Sequence, residues 1–157
     1  MSNHTAVIAL GSNDGDRRAH LEYAVQRLGA LLEGPRASRY HETPAAPPAA
    51  PADPPYLNAV VVGRTALSAR ELLDALLEIE RDRGRTRPCP GAPRTLDLDL
   101  ILLGTIVVAE PGLEVPHPRF RERRFVLEPL AELAPDLRDP VTGRTVGEMV
   151  AEIRKKK

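Results

Sequence analysis

Two carboxylates two positions apart carry the first chemical signal in this chain. Asp97 and Asp99 lie in Arg94-Thr95-Leu96-Asp97-Leu98-Asp99-Leu100-Ile101-Leu102-Leu103, an apolar run that predicts a strand. Strand alternation sends Leu96, Leu98, Leu100 and Leu102 into the core, and Thr95, Asp97 and Asp99 to the opposite face. The carboxylates then stand roughly 6–7 Å apart, and they repel each other unless something positive lies between or over them. Hard, oxygen-seeking Mg²⁺ suits such donors, and phosphate oxygens commonly complete its shell. A D-x-D pair also occurs on solvated strand faces, so its surroundings decide between the two readings.

The surroundings are basic. Arg81, Arg83, Arg85, Arg87 and Arg94 fall within fourteen residues upstream, against the single acid Asp82. Pro88-Cys89-Pro90-Gly91-Ala92-Pro93 between them reads as a loop. An arginine-bearing loop leading into paired carboxylates suits a metal-bound polyphosphate, with carboxylates on the metal and guanidinium forks on the phosphates. Glu80 shares a helical face with Leu73, Leu76 and Leu77, where a carboxylate requires a partner: a nearby arginine, or a role supporting the metal or nucleotide. Tyr56 and Asn58 alternate onto one strand face and, with Phe125, supply the stacking and in-plane hydrogen bonding that a flat heterocycle needs; core packing is the competing use. His117, in Val115-Pro116-His117-Pro118, has Arg119, Arg121, Arg123 and Arg124 close by, which suits phosphate contact over a plain loop position.

Composition narrows the classes. With 157 residues, one domain (1–157) is expected, and 42% hydrophobic with 28% charged residues reads as soluble and globular. Lys+Arg and Asp+Glu are both 22, so no net field points to nucleic acid or an anionic membrane. Nothing reads as an N-terminal signal or a membrane span, so a cytoplasmic location is expected. The lone Cys89 excludes an internal disulfide and a Cys-x-x-Cys pair. Every lysine lies in Lys155 to Lys157, which excludes a Walker A loop, a kinase strand lysine and an internal Schiff base.

The elements that must position these residues follow from apolar periodicity and caps. A strand is predicted over Thr5–Leu10, then a turn at Gly11-Ser12-Asn13-Asp14-Gly15 and a helix capped by Asp16 with apolar Leu21, Ala24, Val25 and Leu28. A weak strand at Arg36–Tyr40 and a stronger one at Tyr56–Thr65 flank residues 44–55, an Ala/Pro-rich loop. Ser68 and Glu71 form a capping box opening a helix to about Arg83, and Thr145 with Glu148 form another for the last helix. After the 94–103 strand, Thr105–Ala109 could pair back as a hairpin, and a helix is expected from about Glu122 to Leu133. The order β-α-β-β-α-β predicts an α+β, ferredoxin-like core: a mainly antiparallel sheet with helices on one face, then a C-terminal hairpin and helices. RNA-recognition modules share that order, but they want sheet aromatics where this strand has Asp97 and Asp99.

With these motifs in place, the sequence resembles the 6-hydroxymethyl-7,8-dihydropterin pyrophosphokinases of folate biosynthesis. The likeness runs from Ile8-Ala9-Leu10-Gly11-Ser12-Asn13 to about Pro135, and is most specific at Gly84-Arg85-Thr86-Arg87 and residues 91–100. Tyr56-Leu57-Asn58-Ala59-Val60, Val115-Pro116-His117 and the Arg123–Leu130 segment add to it. The resemblance implies a magnesium-dependent transferase that moves the pyrophosphoryl group of ATP to the pterin hydroxymethyl and releases AMP. It implies that Asp97 and Asp99 bind two Mg²⁺ ions, and that Arg85 and Arg94 act catalytically from a mobile loop, residues 84–94. Tyr56 and Phe125 would sandwich the pterin, with Asn58, Thr43 and Pro44 at its edge. Glu80, Arg87, Arg94, Leu100, His117 and Arg123 would serve ATP. A monomer working on small molecules, with no nucleic acid and no membrane, completes the expectation. A non-catalytic nucleotide-binding regulator is the other reading, because the chain departs from the family in its catalytic loop. The loop has no tryptophan, Gly91 stands near that position, and the loop is one residue shorter. Residues 45–55 replace the usual glycine-containing loop near the pterin, and Pro118 stands where some relatives carry an aromatic.

Overall fold

Ala6–Leu10 and Ala59–Val62 are apolar at every position rather than at alternate ones, so the strands that contain them require cover on both faces. The computed structural model describes residues 3–43, 55–84 and 95–155 and provides that cover. Strand β1 (His4–Ser12) lies between β4 (Tyr56–Thr65) and β5 (Asp97–Leu103), antiparallel to both. Strands β2 (Glu33–Ala37) and β3 (His41–Thr43) both pair with β4, giving the order β2-β4-β1-β5 with β3 on the same side of β4 as β2. With α1 (Arg17–Gly29) and α2 (Ala69–Asp82) as the crossings, this is the ferredoxin-like arrangement expected.

Helices α1 and α2 cover one face, where Leu21, Leu28, Leu72, Leu76 and Ile79 pack with Ile8, Leu10, Val61 and Leu98. The core helices thus share one face as expected, and the C-terminal helices cover the other. There α3 (Arg124–Leu133) and α4 (Val146–Lys155) pack Val126, Leu127, Leu130 and Met149 onto Val7, Val60, Val62 and Ile101, with Phe120 fully buried. Burying one such side chain stabilises by about 1.5–3 kcal/mol, which outweighs any single surface contact described below.

The caps form as expected. Asp16 accepts from the Ala19 N–H at 3.1 Å, and reciprocal Ser68–Glu71 and Thr145–Glu148 bonds of 2.8–3.1 Å open α2 and α4. Three local expectations change. Of the strand predicted at Arg36–Tyr40 only Arg36 and Ala37 are in β2; residues 38–40 link β2 to β3, and there the Ser38 hydroxyl, not a backbone carbonyl, accepts the Val60 N–H at 2.9 Å. Thr105–Ala109 does not fold back onto β5: β6 (Val108–Glu110) pairs instead with β7 (Leu113–Val115) through Pro111-Gly112, where Gly112 takes φ +77°. Finally, a register shift against β1 between Val7 and Ile8 breaks the alternation of β5. Leu96, Leu98 and Leu100 pack toward α1 and α2, whereas Leu102 packs with Ile101 on the other face. The helix expected from Glu122 begins at Arg124, after a 3₁₀ turn over Phe120–Glu122.

Candidate active site

One row of residues crosses four strands on the face that α3 and α4 cover. Asp97 lies opposite Gly11, Gly11 opposite Asn58, and Asn58 opposite His41. The next row toward the core is Asp99, Ala9 and Val60. The face therefore changes from apolar to polar within two rows. At about 4.8 Å between strands, Asp97 and Asn58 are roughly 10 Å apart across the backbone of Gly11.

The absence of a side chain at Gly11 shapes the centre of this row. A Cβ there would meet Asn58 Oδ1 at 3.2 Å and Tyr56 Cδ1 at 3.5 Å. Gly11 thus keeps clear the space beside the aromatic ring and the amide. Asn58 is buried at 4% exposure, and its Nδ2 donates to Thr43 Oγ1 at 2.7 Å and to the His41 carbonyl at 3.4 Å. With both amide hydrogens engaged, Oδ1 is the acceptor presented toward Gly11. Tyr56 is half-buried one row out, opposite Thr43.

At the carboxylate end, Glu80 is 3% exposed and accepts the Leu98 N–H at 2.7 Å. Leu98 separates Asp97 from Asp99, so the helix-borne carboxylate holds the backbone between the two acids and supports that stretch of β5. Asp99 keeps 46% of its side-chain exposure, and its Oδ2 lies 4.0 Å from Arg123 NH1. An ion pair so exposed adds under about 1 kcal/mol of stability; what it marks is that the segment before α3 lies beside Asp99. His117 is tied to β5 by its N–H, which donates to the Ile101 carbonyl at 2.9 Å. Its Nδ1 accepts the Arg119 N–H at 3.2 Å, so the proton of the neutral ring resides on Nε2. Burial, and then the Arg123 and Arg119 charges, lower the His117 pKa against the opposing pull of Asp99. Phe125, in the first turn of α3, is 37% exposed, and the Arg123 guanidinium lies 5.5 Å from its ring centroid.

The structure thus brings together Asp97, Asp99, Glu80, His117 and Arg123 at one end of the row, and Tyr56, Asn58 and Thr43 at the other. Leu100 is 5% exposed and packs toward α1 and α2, so only its backbone can serve a nucleotide. Arg85, Arg87, Arg94 and Pro44 lie outside the described residues. Sequence reasoning missed Gly11 as a site residue; its signal was a glycine closing an otherwise apolar strand. It also missed Arg17, which donates to the Pro55 carbonyl and to Glu42, both at 2.8 Å. Among the described residues no group of three His, Cys, Asp or Glu side chains is placed to hold a metal ion.

The comparisons with known proteins identify the family and the fold. The family model for 7,8-dihydro-6-hydroxymethylpterin-pyrophosphokinase matches residues 7–135. The chain belongs to this family. It is 41% identical over 152 residues to the 2-amino-4-hydroxy-6-hydroxymethyldihydropteridine pyrophosphokinase of Synechocystis, covering 96% of this chain and 76% of that one. The enzyme of the same name from Pseudomonas aeruginosa is 42% identical over 145 residues, covering 92% and 88%. Among solved structures, wild-type Plasmodium falciparum HPPK-DHPS with pteroate superposes with a TM-score of 0.74 at 14% identity, covering 96% of this chain and 42% of that one. At that identity the likeness concerns the fold, which is the ferredoxin-like one.

Proposed function

We propose that this protein transfers the pyrophosphoryl group of ATP to the hydroxymethyl of 6-hydroxymethyl-7,8-dihydropterin, releasing AMP, as one catalytic domain working as a monomer on small molecules. The observation that carries the reading is the row Asp97-Gly11-Asn58 across adjacent strands. It sets a metal-type carboxylate pair and a heterocycle-reading amide on one face, with a residue lacking a side chain between them. A pterin ring held at Asn58 then projects a one-carbon arm toward a polyphosphate held at Asp97 and Asp99.

In the reaction the pterin hydroxyl oxygen forms a bond to the β-phosphorus. The bond from that phosphorus to the α–β bridging oxygen breaks, and the hydroxyl proton passes to solvent. Chemistry of this kind needs positioning and charge neutralisation more than a strong base. Tyr56 and Phe125 stack on the pterin, while Asn58 Oδ1 accepts from its edge. His117 offers Nε2–H, and Arg123 its guanidinium, to phosphate oxygens. Glu80 keeps the backbone between the acids in place. The arginines Arg85, Arg87 and Arg94 belong to the same reading on the phosphate side.

Magnesium fits the donor set, since Asp97 and Asp99 offer only hard oxygens on one strand face and leave the rest of the shell to phosphates. When bound, it supplies charge neutralisation on the triphosphate.

Incubation with ATP, Mg²⁺ and the hydroxymethyl dihydropterin should release AMP in step with pterin consumed, and a chelator should stop it. Asp97→Ala and Asp99→Ala should each lower turnover by about 10³-fold or more. Their melting temperatures should stay within a few degrees of the parent, because both side chains are partly exposed. Near-normal rates in both variants would overturn the assignment. ATP binding without AMP release would instead identify the nucleotide-binding regulator.

A further inference from the structure

Strand β3 has only three residues, on the edge of the sheet, and each of its side chains is tied to a different element. Thr43 Oγ1 accepts from Asn58 Nδ2 at 2.7 Å, and Glu42 receives Arg17 of α1 at 2.8 Å. His41 reaches across to α3, where its Nε2 lies 2.6 Å from Glu132 Oε1. The other Glu132 oxygen accepts the Arg39 N–H at 3.3 Å, and the Arg39 guanidinium lies 3.5 Å from Oε1. So short an edge strand is marginal by its ladder alone; its side-chain ties decide where it sits. Burial works against the Glu132 charge, but the Arg39 N–H, His41 and the Arg39 guanidinium overcome it and hold the carboxyl below its ordinary range.

The His41–Glu132 pair joins the two parts between which the pterin is proposed to lie. Glu132 sits on α3, the helix whose first turn carries Phe125, and His41 is directly opposite Asn58, whose amide it helps orient through its carbonyl at 3.4 Å. We infer that Glu132, acting through His41, is a positioning residue for the pterin: it locks β3 to α3, and so sets both the orientation of the Asn58 amide and the gap between the sheet and Phe125. The inference rests on the pterin reading of Asn58 and Phe125. Neither Glu132 nor His41 touches the carboxylate end of the row, so the pair acts on pterin recognition and leaves the nucleotide alone.

The test is a set of variants measured for the KM of each substrate, for kcat, and for binding of 6-hydroxymethylpterin by its own fluorescence. Glu132→Gln and His41→Ala should each raise the pterin KM and dissociation constant about fivefold or more. The ATP KM and kcat should stay within twofold, and the double variant should be no worse than either single one, since both remove the same tie. His41→Gln keeps a donor for Glu132 and should recover part of the loss, and it serves if Glu132→Gln does not fold. Equal losses in kcat and in both KM values would reduce the pair to a stability element and overturn the inference. Normal pterin binding in Glu132→Gln and His41→Ala, with Asn58→Ala weakened, would overturn it while leaving the pterin site standing. If Asn58→Ala also binds normally, the pterin reading falls and the inference with it.

Discussion

Gly11 illustrates how one missing side chain can define a site. Its backbone needs no left-handed conformation, so Gly11→Ala is free of backbone strain and tests the space alone. The added methyl would press on Asn58 Oδ1 at 3.2 Å and sit against the Tyr56 ring at 3.5 Å. We expect Gly11→Ala to weaken pterin binding about tenfold, roughly 1.4 kcal/mol, while the ATP KM hardly moves. Fluorescence titration with the pterin and a kinetic ATP series check this; an unchanged pterin affinity would show that the ring does not approach Gly11. The same reasoning distinguishes Asn58 from an ordinary buried amide. Its hydrogens go to Thr43 and His41, and this spends its donors and presents an acceptor.

At the scale of elements, the join between α2 and β5 matters most for the chemistry. Glu80 closes the apolar face of α2 and holds the Leu98 N–H from a buried position. Removing that acceptor leaves a buried donor unsatisfied, at a cost of about 1–3 kcal/mol. Glu80→Ala should therefore lower the melting temperature and, by loosening the backbone between Asp97 and Asp99, reduce kcat more than the pterin KM. Calorimetry and steady-state kinetics measured together check the pair of effects; a stability loss with unchanged kcat would confine Glu80 to structure. The capping box of α4 gives a contrasting case remote from the site. Thr145→Ala should destabilise by about 1 kcal/mol, read from denaturant midpoints, with kinetics unaltered at a temperature where the variant stays folded.

For the molecule as a whole, the C-terminal part acts as a brace for the segment that lies beside Asp99. Asp139 is fully buried and receives both Arg121 Nε and, at 3.0 Å, Arg121 NH2; it also accepts from the Val141 N–H and the Thr142 hydroxyl. Arg121 stacks over buried Phe120, between His117 and Arg123. Burial alone would raise the Asp139 pKa, but Arg121, the Val141 N–H and Thr142 together bring it below the ordinary 3.8. A carboxyl whose folded pKa is depressed binds fewer protons folded than unfolded, so its stabilisation is present above the unfolded value of 3.8 and is lost as the pH falls through the lower folded value. Asp139→Asn should thus lose roughly 3 kcal/mol at neutral pH. The gap between its melting temperature and the parent's should close as the pH falls below 3.8. Thermal melts across pH 2–7 check both the size and the sign; a gap that stays constant throughout would show that the carboxylate charge is not what holds the brace. At the other end, the turn after β1 and the first residues of α1 tie together segments from several parts of the chain. Asp14 receives Thr95 at 3.4 Å, His20 receives Arg83 at 2.8 Å, and Arg17 reaches Pro55 and Glu42.

The sequence by itself determined the order of the main strands and helices, the caps and the chemical types at the site, because these depend on local patterns. A helix start is written in Ser68 and Glu71, and a carboxylate pair on one strand face is written in the period of two. It did not determine which residues become neighbours across strands. That Gly11 separates Asp97 from Asn58, that Glu132 meets His41 from ninety-one positions away, and that Leu102 turns to the opposite face are matters of register and of a bulge. The helices over the second face follow the same logic, for a continuous apolar run requires two covers without naming what supplies them. Register and layer packing are settled by contacts between distant segments, whose energies no local pattern encodes, and only the tertiary structure decided them.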